Sequence, residues 1–152
     1  MPVNLESNAE SGATPVHASA LDHATKTVLI IDDSDDIRMV ISESLNIYGF
    51  QTITAEDGGK GIELARQRIP DLIICDVNMP GIDGYATLTA IRENEATATI
   101  PFIFLSGEAD KINMRRGMEL GADDYLIELR VVVGDQWSRI SGLHIQIVYD
   151  SI

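Results

Sequence analysis

Leu72-Ile-Ile-Cys-Asp76 is a run of four apolar residues closed by a carboxylate, and the same order recurs in Val28-Leu-Ile-Ile-Asp-Asp33 and, with a hydroxyl, in Phe102-Ile-Phe-Leu-Ser106. Continuous apolar strings of this length suit strands buried on both faces of a parallel sheet. Gln51-Thr-Ile-Thr54 and Tyr125-Leu-Ile127 are two further strand candidates. The segments between them carry helical spacing. Ile37, Val40, Ile41, Leu45 and Tyr48 form an i, i+3, i+4 stripe, with Ser34 or Asp35 as N-cap and Gly49 as terminator. Ile62, Ala65 and Ile69 share one face of a second helix, with Leu64 to one side, and Pro70 stops it. Tyr85, Leu88 and Ile91 mark a third helix; Ile112, Met114, Met118 and Leu120 mark a fourth, ended by Gly121. Strands alternating with helices of this length predict an α/β fold, a doubly wound parallel sheet with right-handed crossovers.

In such sheets ligands bind outside the carboxyl ends of the strands, where the strand order switches. Polar residues stand at those ends: Asp32 and Asp33 after the first strand, Asp76 after the third, Ser106 after the fourth. If these strands are neighbours, three carboxylates and a hydroxyl meet in one crevice. Each carboxylate pair at ~4 Å and an effective dielectric of ~20 costs roughly 4 kcal/mol, so a proton or a divalent cation must offset it. Magnesium prefers hard oxygen ligands, keeps several waters and binds one or two carboxylates together with phosphate oxygens. One of the tandem aspartates can ligate while the other holds a coordinating water. Asp76 can ligate through one oxygen and attack phosphorus with the other, and Ser106 can hydrogen-bond a phosphoryl oxygen. Taken singly, Asp32-Asp33 also fits a strand-end turn or helix cap, and Ser106 a turn residue. Their coincidence at three strand ends is what argues for a site.

Composition sets the surroundings. The 152 residues fit one domain, with 45% hydrophobic and 23% charged residues. No apolar run reaches the ~18–20 residues of a membrane helix, and no basic-then-apolar leader opens the chain. The lone Cys75 excludes an internal disulfide, and a cytoplasmic location is expected. Eleven Lys+Arg against 24 Asp+Glu leave a net charge of −13, which repels phosphate backbones and argues against direct nucleic-acid binding. Residues 1–26 lack apolar periodicity and read as a disordered leader, in which His17 and His23 are solvated rather than metal ligands.

Val28–Asp33, Asp71-Leu-Ile-Ile-Cys-Asp-Val-Asn-Met-Pro-Gly81 and Pro101-Phe-Ile-Phe-Leu-Ser106 resemble the three signature segments of response-regulator receivers, and Gly121-Ala-Asp-Asp-Tyr-Leu126 is similar to the approach to that family's fifth strand. The likeness runs from about residue 27 to 127, so a receiver domain is expected over 27–128. It implies a flavodoxin-like five-stranded parallel sheet of order 2-1-3-4-5. It also implies that Asp76 is the phosphoacceptor, that Asp33, Asp76 and the carbonyl of Asn78 ligate Mg²⁺ with Asp32 beside them, that Ser106 is the switch hydroxyl and that Tyr125 is the switch aromatic. Asn78 and Glu108 match the positions where the family varies its dephosphorylation rate. The implied partners are a sensor histidine kinase or phosphotransfer protein and a downstream protein. The domain would promote only its own phosphorylation and dephosphorylation, and so would not be an enzyme in the ordinary sense.

The pattern breaks at Glu128. The family carries a lysine three residues after the aromatic position, usually followed by proline, and this chain has Glu128-Leu129. Lys111, the nearest lysine by sequence, stands at the start of the fourth helix. Residues 129–152 form an atypical C-terminal segment without a helical stripe. Arg130-Val-Val-Val133 is β-branched, Gly134-Asp135 is a turn signal, Gly142 interrupts and His144-Ile-Gln-Ile-Val148 alternates like a strand. Trp137 and His144 have no motif around them. Without a fifth helix the tail must cover one sheet face another way, as a hairpin for example, or leave apolar surface that favours association, a homodimer included. A shifted reading frame near codon 128 is one origin for so abrupt a change. Three functions follow. The first is a stand-alone phosphoacceptor switch, since no output domain fits after residue 127. The second is a degenerate receiver acting as a phosphorylation-independent protein-interaction module. The third is an aspartyl-phosphate hydrolase like the haloacid dehalogenases, which would need an acid where Asn78 stands.

Overall fold

The computed structural model describes residues 26–106, 111–127, 132–133 and 136–137. The leader before Lys26, Glu108, Glu128, His144 and most of the 129–152 segment lie outside the described residues, as do the side chains of Ser106, Lys111, Tyr125 and Trp137. The elements run β1 (Thr27–Ile31), α1 (Asp35–Ile47), β2 (Gln51–Ala55), α2 (Gly58–Arg68), β3 (Leu72–Asp76), α3 (Gly84–Glu93), β4 (Phe102–Ser106), α4 (Lys111–Glu119) and β5 (Asp124–Ile127). The five strands form one sheet of order β2-β1-β3-β4-β5, every pair parallel. This is the doubly wound order implied by the sequence. A separate antiparallel ladder joins β6 (Val132–Val133) to β7 (Gln136–Trp137), pairing Val132 with Trp137, and the turn expected at Gly134-Asp135 lies outside the described residues.

Residues of the three inner strands β1, β3 and β4 alternate between two buried layers, which is why the apolar runs lie in those strands, whereas the edge strand β2 is mostly polar. Leu29, Ile31, Ile73, Cys75, Phe102 and Phe104 pack with Ala65 of α2 and with Tyr85, Leu88 and Ile91 of α3. Val28, Ile30, Leu72, Ile74, Ile103 and Leu105 pack on the other face with Ile41 and Leu45 of α1. Full burial of each such side chain is worth about 1.5–3 kcal/mol. The helices start where a short polar side chain caps them. Ser34 accepts from Ile37 N, Asp57 from Lys60 N and Asp83 from Ala86 N. Gly49 and Gly121 lie past the ends of α1 and α4 with φ of 94° and 102°, a backbone region that glycine enters without strain.

Four residues assigned to apolar stripes are exposed instead. Tyr48 caps the end of α1, outside its buried face. Ile69 caps α2 with φ 41° and ψ 68°, so the chain turns before this side chain can reach the core, where it would have followed Ala65. The buried face of α2 is made by Gly58, Gly61 and Ala65. A Cβ on Gly61 would stand 2.4 Å from Ile31 Cδ1, so the helix approaches β1 more closely than larger residues allow. Met118 and Leu120 are exposed because α4 turns Met114 and Gly117 inward, and Leu120 falls after the helix has ended.

Candidate functional site

The register of the sheet places the acids. Ile31 pairs with Cys75, so the residues that follow them, Asp32 and Asp76, emerge at the same height on adjacent strands. Asp76 pairs with Leu105, and Ser106 is the next residue along β4, opposite Ile127. The three carboxylates expected from the sequence do meet: one oxygen from each of Asp32, Asp33 and Asp76 lies within 4.8 Å of the others. Asp32 is buried, Asp76 half-buried and Asp33 exposed. Ser106 is the last residue of β4, the strand beside β3, and Tyr125 is the second residue of β5, paired with Phe104.

Local structure explains why Asp76 points where it does. Val77 N–H donates to Leu105 O at 3.2 Å, and Asn78 N–H donates to Asp76 Oδ1 at 3.2 Å. The chain then turns through Gly81, φ 78°, and returns to bond Gly84 N–H to Val77 O at 2.9 Å. A Cβ on Gly84 would stand 2.3 Å from the Asp76 carbonyl oxygen, so α3 can begin against the end of β3 only with glycine there. Asn78 contributes its main-chain N–H to Asp76, a role that the sequence did not suggest beside the expected carbonyl ligation.

The electrostatics of the crevice are those of an unneutralised anion cluster. Burial, then the neighbouring charge of Asp32 and, less, that of Asp33 push the Asp76 carboxyl from 3.8 up to about 7, against the lowering effect of the Asn78 and Val77 N–H groups. Cys75 lies directly beneath, fully buried, and burial together with Asp76 and Asp32 raises its thiol further above its ordinary range. It stays a neutral core residue and is no nucleophile. The donor set is all hard oxygen and carries excess negative charge, which fits Mg²⁺ or a similar divalent cation.

One residue at the site had no signature in the sequence. Arg38, on α1, donates from Nη1 to the main-chain oxygen of Asp32 at 2.6 Å and pairs through Nη2 with Asp35. A contact with a carbonyl leaves no residue-type pattern, and only the placing of an arginine just inside a helix that follows two acids could have drawn attention to it.

The comparisons with known proteins agree on one family. The model of the response regulator receiver domain matches residues 28–127. A probable transcriptional regulator, ycf27 of Guillardia theta, is 38% identical over 101 residues, which cover 66% of this chain and 39% of that protein. The transcriptional regulatory protein AfsQ1 of Streptomyces coelicolor is 40% identical over 102 residues, covering 67% and 44%. The chain thus spans about two fifths of the length of these curated relatives. Among solved structures, the chemotaxis protein CheY4 of Vibrio cholerae aligns with a TM-score of 0.66 and 32% identity over 68% of this chain and 87% of its own.

Proposed function

Because the chain belongs to the response-regulator receiver family, we propose that it is a phosphoacceptor of a two-component phosphorelay, with Asp76 taking a phosphoryl group from a phosphohistidine. The observation that carries this reading is the meeting of the Asp32, Asp33 and Asp76 carboxylates at the ends of two adjacent parallel strands. The family is one of signalling domains rather than of classical enzymes, and it works with histidine kinases or phosphotransfer proteins.

In the proposed reaction an Asp76 carboxylate oxygen attacks phosphorus in line with the nitrogen of the donor imidazole. The new O–P bond makes an acyl phosphate, the P–N bond breaks, and its electron pair returns to the imidazole, which leaves as the neutral ring after taking up a proton. Asp32, Asp33 and Asp76, with the carbonyl of Asn78, would hold Mg²⁺, which would supply charge neutralisation for the incoming phosphoryl group. The Asn78 N–H holds one Asp76 oxygen, which leaves the other to be aimed at phosphorus. Ser106 is assigned the hydrogen bond to a phosphoryl oxygen from its position at the end of β4, and Tyr125 the inward-turning aromatic from its match to the family's pattern. The downstream partner is a protein that reads the surface altered by phosphorylation.

Incubation with a small phosphoryl donor and Mg²⁺ is expected to add one hydroxylamine-labile phosphate to the wild type and none to Asp76→Asn. Equal labelling of both proteins overturns the assignment. One residue favours a second reading: Glu128 stands where the family carries its lysine, so the phosphoryl group lacks a charge-assisted contact of a kind worth ~1.5–3 kcal/mol. A wild type that binds Mg²⁺ but takes no label is then a phosphorylation-independent interaction module.

A further inference from the structure

Arg38 is mostly buried, with 14% of its side chain exposed, although it belongs to a surface helix. Its guanidinium faces the loop that carries Asp32 and Asp33, where Nη1 donates to the Asp32 carbonyl at 2.6 Å and Nη2 is held by the Asp35 carboxylate. The same loop is held at two further points. Asp32 N–H donates to Ala55 O at 3.1 Å, and Asp32 Oδ1 accepts from Ser34 N–H at 2.8 Å. The N–H, the C=O and the carboxylate of Asp32 are therefore each tied to a different group. Of these ties, the one to the carbonyl is made by a side chain, and that carbonyl belongs to the peptide joining Asp32 to Asp33.

We propose that Arg38 is a positioning residue for the divalent cation: by fixing the Asp32–Asp33 peptide it keeps both carboxylates turned toward Asp76 before any ion arrives. The proposal rests on the reading of the acid cluster as a cation site. Three like charges on an unrestrained loop separate, the exposed Asp33 most readily, and an arriving ion would then have to gather them at a cost in affinity. A charge-assisted bond from a planar, doubly anchored guanidinium opposes that separation. The positive charge itself acts in the other direction. A cation close to a cation site repels the ion, so on charge alone the removal of Arg38 would tighten Mg²⁺ binding. Positioning and electrostatics therefore predict opposite signs for one substitution.

The test is Mg²⁺ affinity measured by titration calorimetry on the full chain, for wild type, Arg38→Ala and Arg38→Lys, with Asp33→Ala as a ligand-loss control. Supporting groups behind metal ligands are typically worth ~10–100-fold in affinity, and Arg38→Ala is expected near the lower figure, with Arg38→Lys recovering to within about threefold of wild type. Binding to Arg38→Ala that equals or exceeds wild-type affinity overturns the proposal. If circular dichroism shows Arg38→Ala unfolded, Arg38→Met takes its place, since it keeps the length of the side chain without its donors: weakened binding supports the role, and binding equal to or tighter than wild type overturns it. A wild type that takes up no Mg²⁺ defeats the cation-site reading itself, and it does so before any Arg38 variant is measured.

Discussion

At the carboxyl ends of β1 and β3 three carboxylates crowd together, whereas at the amino ends of β4 and β5 an arginine and a carboxylate satisfy one another and the backbone around them. Arg92, near the end of α3, donates to Ala98 O at 3.2 Å, Ile100 O at 2.7 Å and Gly121 O at 3.0 Å, and pairs with Asp123 at 3.1 Å. Asp123 in turn accepts from Phe102 N–H at 2.8 Å and donates its own N–H to Phe102 O at 2.8 Å. One side chain thus ties the end of α3 to the entries of both strands. At the opposite end of the sheet burial and the neighbouring charges of Asp32 and Asp33 push the Asp76 carboxyl up to about 7. The first arrangement stabilises the fold. The second costs stability until a ligand arrives, a trade expected where a site must bind charge.

The largest effect is expected at the paired end. Arg92→Ala would leave three carbonyls and the exposed carboxylate of Asp123 short of a donor, and it should lower stability by about 2–4 kcal/mol in urea denaturation. A loss below about 0.5 kcal/mol would mean that water replaces the guanidinium and that the two ends do not differ as described. Gly84→Ala should follow at about 1–3 kcal/mol, because the new methyl would meet the Asp76 carbonyl and the structure must shift to admit it. Unlike Arg92→Ala, it should also slow labelling of Asp76, and an unaltered labelling rate in this variant would count against tight positioning of β3 by α3.

The smallest effect sharpens the contrast by its sign. The folded-state pKa of Asp76 lies above its ordinary value of 3.8, so the native state favours the protonated carboxyl. Its contribution to stability is full below about pH 4 and is lost as the pH rises through about 7. In chelator, the stability of the wild type relative to Asp76→Asn should therefore fall between pH 4 and 7.5. With saturating Mg²⁺ that fall should shrink or reverse, because the ion binds the deprotonated cluster and stabilises only the folded chain. A wild-type-minus-variant difference that stays flat in chelator would show that the three acids do not repel one another as their separation implies.

Much of this was readable from residue type and spacing alone. Apolar tetrads closed by Asp32, Asp76 and Ser106 determined a buried parallel sheet with polar groups at one end, because only strands covered on both faces are apolar throughout. Ser34, Gly49 and Gly121 announced the boundaries of α1 and the end of α4, since capping is a local matter of one side chain and the next few peptides, whereas the caps Asp57 and Asp83 were recognised only in the structure. Tertiary structure alone decided which apolar residues are inside. Gly61 rather than Ile69 faces the core because the closeness of α2 to Ile31 is a distance between elements, which periodicity within one helix cannot contain. It alone also gave Arg38 and Arg92 their partners. Both donate to main-chain carbonyls, which every residue possesses, and Arg92 reaches Gly121 across 29 positions, so no pattern of residue types records either contact until the chain is folded.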